Sequence, residues 1–230
     1  MTLRWPMPRR RMKAGTRPVW HTVGELVEAC GESERALSWL ANRGRFAVHY
    51  RAKWVAKKHG RRLLEAPLPR LKAVQRVILR DVLDAAPLHT AAVGFRKGRS
   101  VKHHAELHVG KRWLTCLDLR NFFPTIGYRR VARAFLRLGF SGGLMRMLAD
   151  LTTTAASLDS SCSRQERLLY GQRHLPQGAP TSPAISNLVC FDLDRRLAAL
   201  ADANGGTYSR YADDLALSFS RHPAHLLPTV

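Results

Sequence analysis

The sequence predicts an α+β fold, because strand-like and helix-like apolar patterns occur in separate segments of the chain. Within residues 207–220, apolar side chains occupy every second position from 215 to 219, the period of a half-buried strand. The β-prone residues just ahead of them complete a predicted hairpin. Apolar residues at helical spacing in 71–82 and in 185–200 predict the α part.

The N-terminal third is expected to contain an arm, two short helices and a strand. Residues 1–20 predict a flexible basic arm, and residues 21–48 predict a small helical region. Its first helix has a plausible capping box at 22–25, with Thr and Glu at the two ends. The second helix is expected to end near 42–44. A strand is expected at 50–58. After two prolines, at 67 and 69, the helix predicted at 71–82 follows.

Residues 113–119 form a compact apolar run that is typical of a central strand. The run carries one charge, Asp118, near its end. An unpaired carboxylate in a buried strand is costly, so Asp118 must meet a cation or lie at the exposed tip of the strand. Apolar residues at helical spacing in 131–138 and 144–151 predict two helices after it.

A rigid Pro/Gly loop at 175–183 precedes the last predicted helix. Ser182 is the predicted N-cap, because proline follows it at the first helical position. One interpretation is a capped core helix. The functional interpretation is a rigid platform that holds Gln177 beside a nucleotide.

The charge balance indicates a polyanionic partner. The 38 Lys and Arg residues against 17 Asp and Glu give a net charge of +21, which destabilises a compact state unless it meets an opposite charge. Nucleic acid is the first candidate and an anionic membrane surface the second. No apolar run approaches the ~20 residues of a membrane span, and no secretory signal is evident. The four cysteines form no Cys-x-x-Cys pair, so we expect buried free thiols and a cytoplasmic location.

Two adjacent carboxylates, Asp213 and Asp214, fall at the tip of the predicted hairpin. Like charges side by side repel each other, so a fold that keeps both usually provides cations for them. Carboxylate oxygens suit Mg²⁺. The alternative is a solvated Asp-Asp turn, since Asp is a common turn residue.

Basic residues around two glycine turns could hold phosphates. Lys57, Lys58 and Arg62 flank one turn and could bind a triphosphate, with bidentate donors from arginine. A solvated hairpin is the alternative. Residues 94–100 form a second basic loop, whose glycines allow the backbone to approach a ligand closely.

Together, these stretches resemble bacterial reverse transcriptases, most closely the retron type. Any one motif is weak, but the ordered set is specific and covers roughly residues 50–220. The motifs are Gly60-Arg-Arg-Leu-Leu-Glu-Ala-Pro67, Leu71-Lys-Ala-Val-Gln-Arg76, Gly94-Phe-Arg-Lys-Gly-Arg-Ser100, Leu117-Asp-Leu-Arg-Asn-Phe-Phe-Pro124, Leu175-Pro-Gln-Gly-Ala-Pro-Thr-Ser-Pro183 and Tyr211-Ala-Asp-Asp214.

The resemblance implies a right-hand polymerase that copies RNA into DNA from dNTPs. It implies fingers at 49–112 and a palm at 113–230, with the family's thumb absent. Asp118 and Asp213 correspond to the pair that holds two Mg²⁺ ions ~4 Å apart, and Asp214 to an accessory carboxylate. The retron type further implies a structured non-coding RNA partner and defence against phage.

Three more roles follow from the resemblance. Phe123 corresponds to a steric gate against the ribose 2′-hydroxyl, Gln177 to a contact with the incoming nucleotide, and Arg62 to a triphosphate ligand. Because the chain stops at Val230, ahead of the family's thumb, an inactive RNA-binding remnant is the alternative. An RNA-copying RNA polymerase also uses paired Asp in a palm, but Phe123 argues for deoxynucleotides.

Overall fold

The computed structural model describes residues 19–41, 48–57 and 60–223. Within these ranges the chain is α+β, as predicted, with helices packed around two small antiparallel sheets. Nearly all of the predicted basic arm lies outside the described residues. Lys58 and the expected end of the second helix also lie outside them.

The two short helices predicted near the N-terminus are confirmed. Helix α1 spans Val23–Cys30 and α2 spans Glu34–Ala41. The Thr22 hydroxyl accepts a hydrogen bond from the Glu25 backbone N–H at 3.2 Å and so caps α1. Gly31 ends α1 with a φ of 62°, the left-handed conformation that glycine adopts without strain.

The first sheet is a two-stranded hairpin. Strand β1 spans Tyr50–Ala56 and pairs antiparallel with β2, Arg61–Pro67. Helix α3 follows at Pro69–Ile78 and continues as one π-helical turn at Leu79–Leu83. This agrees with the helix predicted at 71–82.

The second sheet is formed by three strands far apart in sequence. They are β3 (Trp113–Asp118), β4 (Gly206–Tyr211) and β5 (Asp214–Phe219), and their order in the sheet is β3-β5-β4. The β4–β5 hairpin matches its prediction. The acidic turn is the connection between β4 and β5 at residues 211–214. In the β3–β5 register Asp118 lies opposite Asp214, so the end of β3 meets this turn.

Seven further helices complete the described fold, most of them packed on one apolar core. They are α4 (Val101–Glu106), α5 (Phe122–Thr125), α6 (Tyr128–Arg137), α7 (Gly142–Thr152), α8 (Arg164–Tyr170), α9 (Ser182–Val189) and α10 (Phe191–Asp202). The core joins α1, α2, α3, α6, α7 and α9, whereas α10 packs on β4 and β5.

The prediction that 113–119 is a central strand is wrong. Among the described strands, β3 pairs with β5 alone and lies at the edge of the sheet, where Leu114 is 58% and Leu117 48% exposed. Helix α10 covers the other two strands instead. An apolar run predicts a strand, but it does not say which neighbour covers that strand. Asp118 is exposed at the tip, one of the two outcomes expected for it.

Two predictions about the last helix are also wrong. Ser182 lies inside α9, and its hydroxyl donates to the Pro176 carbonyl at 2.6 Å, so it closes the Pro/Gly loop instead of capping the helix. The expected single helix is divided at Cys190 into α9 and α10. Apolar spacing continues across this break, so periodicity alone could not detect it.

All four cysteines are free, as expected, but not all are buried. Cys162 and Cys190 are buried, whereas Cys116 is exposed because it lies on the edge strand β3. In the described part of the chain, no helix combines the length and apolar character needed to cross a bilayer.

The edge position of β3 predicts different costs for two leucine truncations in the same sheet. Leu114→Ala should lower the unfolding free energy by less than about 1 kcal/mol, because its side chain is already mostly in water. Leu215→Ala on β5, which is 4% exposed, should cost about 2–5 kcal/mol. Urea denaturation measures both, and equal losses would contradict the edge position.

Candidate active site

The acidic turn joins β4 to β5 and is tied to the end of β3. The Leu119 N–H donates to the Asp213 carbonyl at 3.0 Å, which brings the residue after Asp118 against the turn. Ala212 has a φ of 60°, a conformation that a non-glycine residue adopts only when its surroundings hold it there. The site therefore depends on the groups that hold this turn.

A fully buried ion pair lies directly behind the turn. The Arg210 guanidinium donates to both Asp194 carboxylate oxygens at 2.8 and 2.7 Å, and neither side chain is exposed. Its remaining Nη1 donates to the Ala212 carbonyl at 2.9 Å. Bidentate arginine–carboxylate contacts fix geometry as well as charge. Arg210 therefore links α10 to the backbone of the strained turn.

The Tyr208 hydroxyl completes this cluster. It donates to Asp194 at 2.9 Å, and burial together with the adjacent carboxylate raises its pKa. The phenol therefore keeps its proton and stays a donor. Sequence reasoning missed the cluster, although Arg210 in a β-prone stretch and Asp194 in an apolar helix were two charges that needed partners.

The basic loop at 94–100 packs on the turn from the other side. The Val93 and Gly94 N–H groups both point at the Arg210 carbonyl, at 2.8 and 3.3 Å. A Cβ on Gly94 would lie 2.5 Å from the Ala212 nitrogen, so only glycine fits there. The backbone of Gly94 therefore makes its close approach to the acidic turn, whereas the sequence predicts an approach to a ligand. Asn187 holds the same segment by donating to the Gly94 carbonyl at 3.0 Å.

A cavity of about 410 Å³ opens beside the turn and brings most of the predicted site residues together. Five of the six line it, and Asp214 is not among its lining residues. Lys57 lines it too. The predicted residues in the wall are Arg62, Asp118, Phe123, Gln177 and Asp213.

The carboxylates of the turn act on one another. Burial raises the pKa of Asp213, and the charges of Asp214 and Asp118 raise it further, while Lys57 lowers it. A carboxylate with a raised pKa beside two others is a site where a cation stabilises the ionised form. No group of three or more His, Cys, Asp or Glu side chains in the described ranges converges closely enough to hold a metal alone. Mg²⁺ does not require one, since it commonly takes one or two carboxylates plus substrate phosphates and water.

The arginines of β2 differ in their availability. Arg61 is held by Glu166 at 2.7 and 3.1 Å and lies 4.2 Å over the Trp54 ring; this pairing lowers the pKa of Glu166 to about 2. The Nε of Arg62 is buried and has no hydrogen-bond partner among the described residues. Arg61 is therefore neutralised by Glu166, whereas the charge of Arg62 has no carboxylate partner among the described residues.

Phe123 and Gln177 reach the cavity from separate elements. Phe123 follows the left-handed Asn121 and lies in α5, with its ring centroid 6.1 Å from that of Phe95. Gln177 lies in the Pro/Gly loop, where its carbonyl accepts the Glu65 N–H at 2.8 Å. The loop is thus attached to the free side of β2.

Gly94→Ala should strain the acidic turn, since the added methyl meets backbone at 2.5 Å. We expect a loss of about 1–3 kcal/mol in unfolding free energy, as for other overpacked sites. Gly24→Ala in α1 is the control, because its Cβ meets only an ordinary contact at 3.6 Å. Thermal unfolding of both variants measures this. An unchanged stability of Gly94→Ala would contradict the close approach.

Asp213→Asn should stabilise the cation-free protein at neutral pH. The folded-state pKa is raised, so the ionised carboxylate costs folding energy above that pKa, and the cost disappears at low pH where the group is protonated in both states. Because Asp213 is partly exposed, the gain should stay below about 1 kcal/mol. Thermal melts with a chelator at neutral and acidic pH test it, and a lowered melting temperature at neutral pH would contradict the repulsion.

Comparison with known proteins identifies the family of the chain. The reverse transcriptase (RNA-dependent DNA polymerase) family profile matches residues 55–228. The retron Mx162 and Mx65 reverse transcriptases of Myxococcus xanthus are 40% and 42% identical over 85% and 87% of this chain. The retron Ec86 reverse transcriptase of Escherichia coli is 32% identical over 87%.

The matches cover 41%, 48% and 58% of these three relatives, so the chain spans about half their length. The resemblance that the ordered motifs carried is confirmed by both the profile and the relatives. The acidic turn, the Pro/Gly loop and the basic strand of the cavity all lie inside the matched region. The chain therefore belongs to the reverse transcriptase family, and its similarity to retron enzymes extends over most of its length.

Proposed function

We propose that this chain carries the fingers and palm of an RNA-directed DNA polymerase of retron type. One observation carries the proposal: Asp118 at the end of β3 and Asp213 in the acidic turn, nearly a hundred positions apart in sequence, line one cavity with Arg62, Phe123 and Gln177. A structural role alone does not explain two carboxylates, an arginine with no acidic partner among the described residues and an aromatic ring around one opening.

The proposed domain division follows the two sheets. Residues 49–112 form the fingers, with the β1–β2 hairpin as their basic strand pair, and residues 113–230 form the palm around the β3-β5-β4 sheet. The cavity lies where residues of β2 meet the ends of β3 and the acidic turn. This is where a polymerase needs its nucleotide.

Asp118 and Asp213 are proposed to supply oxygen ligands for two Mg²⁺ ions. Bound there, the ions supply activation of the primer 3′-hydroxyl and neutralisation of the leaving pyrophosphate. The fit rests on the shared cavity and on the mutual repulsion of the carboxylates, which cations relieve. Asp214 does not line the cavity and acts on Asp213 through its charge.

The incoming dNTP is proposed to lie between β2 and the Pro/Gly loop. Arg62 binds the triphosphate through its guanidinium, and Lys57 adds a second positive charge to the same wall. Gln177 contacts the nucleotide from the loop. The ring of Phe123 occupies the space that a 2′-hydroxyl requires, which favours deoxynucleotides.

An RNA template and its DNA product are the proposed polyanionic partners. A net charge of +21 provides a strong, sequence-independent and salt-sensitive attraction to their phosphates. Several relatives are named retron reverse transcriptases. The resemblance to that type extends the proposal to a structured non-coding RNA partner and to phage defence in the cytoplasm.

Primer extension tests the activity. With a poly-rA template, an oligo-dT primer, Mg²⁺ and dTTP, Asp213→Asn should lower incorporation by at least about 10³-fold, because a charge aimed at the transition state is lost. RNA retention should stay near wild type. Asp202→Asn, at the exposed end of α10, is the matched control and should leave incorporation unchanged. Wild-type incorporation by Asp213→Asn would contradict the assignment.

Sugar selection is a separate prediction. Phe123→Ala should raise the use of rUTP relative to dUTP by about 10-fold or more, since the space for the 2′-hydroxyl opens. Phe123→Tyr keeps the ring and should keep the preference. Competition assays with the two nucleotides measure the ratio. If the two variants have the same ratio, Phe123 is not the gate.

A further inference from the structure

A buried pair of titratable side chains lies behind the Pro/Gly loop, and no role has been assigned to it above. Glu65 of β2 and His174 are about 0% and 1% exposed, and their side chains meet at 2.7 Å between Oε2 and Nε2. His174 precedes Gln177 by three residues. The pair therefore joins the strand that carries Arg62 to the loop that carries Gln177.

The backbone of Glu65 contacts the same loop. Its N–H donates to the Gln177 carbonyl at 2.8 Å, and a Cβ on Gly178 would lie 3.2 Å from its carbonyl oxygen. Ala52 of β1 lies opposite Glu65 in the hairpin register. Strand β2 thus pairs with β1 along one edge and holds the Gln177 loop along the other.

His174 is anchored at its other atoms as well. Its Nδ1 lies 2.7 Å from the Gln172 carbonyl, and its backbone exchanges hydrogen bonds with Thr154 at 2.8 and 3.0 Å. The next residue, Leu175, donates to the Ile126 carbonyl at 2.9 Å. Ile126 directly follows α5, the helix of Phe123. His174 and its neighbour therefore connect the loop of Gln177 to the segment that follows the helix of Phe123.

The hydrogen bonds fix the protons of the pair. The Gln172 carbonyl can only accept, so Nδ1 carries a proton and donates to it. The contact between Nε2 and Glu65 Oε2 then requires one more proton, held between them. The second carboxylate oxygen, Oε1, has no partner among the described residues, so the contact of Oε2 with His174 is the one side-chain hydrogen bond of Glu65 there. Removing either side chain leaves a buried polar group unpaired.

We propose that Glu65 and His174 are positioning residues that hold Gln177 against β2 and thereby set the affinity for the incoming nucleotide. A buried ion pair is seldom more stabilising than an apolar pair of equal size, so stability alone does not account for it. Its contacts instead fix where the loop lies relative to Arg62. The inference rests on the proposed function, since Gln177 must touch the nucleotide for the pair to matter.

Steady-state extension with varied dTTP tests the consequence. Glu65→Leu should raise the KM for dTTP about 10-fold and leave kcat within about 3-fold, because ground-state and transition-state binding are lost equally. Glu65→Gln should stay within about 3-fold of the wild-type KM, because its amide can donate to Nε2 of a neutral His174. A KM for Glu65→Gln as high as that of Glu65→Leu would overturn the pairing argument.

Gln75→Leu is the control for a purely structural effect. Gln75 is equally buried, but its side chain donates to Tyr50 and to the Leu151 carbonyl, not to the loop. Its loss should lower stability and leave the KM for dTTP unchanged. If Gln75→Leu raises the KM as much as Glu65→Leu does, the effect is general destabilisation and the inference is wrong.

Hydrogen–deuterium exchange provides a readout that does not depend on activity. Peptides covering residues 172–182 should exchange about 10-fold faster in Glu65→Leu than in wild type, since the Gln177 attachment is weakened. They should be unchanged in Gln75→Leu. If the wild type incorporates no nucleotide, the proposed function fails, while exchange still decides whether the pair positions the loop. Equal exchange in all three proteins overturns the inference.

Discussion

The guanidinium of Arg210 and the carboxylate of Asp194 lie against each other with neither side chain exposed, and the acidic turn depends on that contact. The same arginine donates to the Ala212 carbonyl and so supports a residue held in the left-handed region. Gly94 closes the opposite side, with no room for a Cβ. The turn is thereby fixed from two directions. Breaking the pair would leave a buried charge unmatched, at a cost of about 3–5 kcal/mol.

The second sheet brings the acidic turn next to the other residues of the candidate site. Its edge strand β3 places Asp118 opposite the turn, while β2 and the Pro/Gly loop close the cavity from the other side. Each wall comes from a different part of the chain, and each is attached by backbone hydrogen bonds. The elements that carry the cavity's side chains are therefore held in place before a ligand arrives. Holding reacting groups in position in this way lowers a reaction barrier.

The sequence predicted well those helices and strands whose position is determined by residues within or next to them. Thr22 and Gly31 bound α1 as a cap and a left-handed stop, and the alternation in β5 predicted its strand. The motifs also named five residues that share one cavity. The position of β3 depended on what α10 covers, and the Glu65–His174 pair joins residues 109 positions apart. Such features come from tertiary packing, which periodicity does not report.

The most direct test of the account is to locate the cation site without relying on turnover. Fe²⁺ in place of Mg²⁺, with ascorbate and peroxide, cleaves the backbone near bound metal. We expect cuts close to Asp118 and Asp213, competed by Mg²⁺ and lost in Asp213→Asn. Cuts confined to other segments, or an identical pattern in that variant, would contradict the claim that these two carboxylates form one cation site.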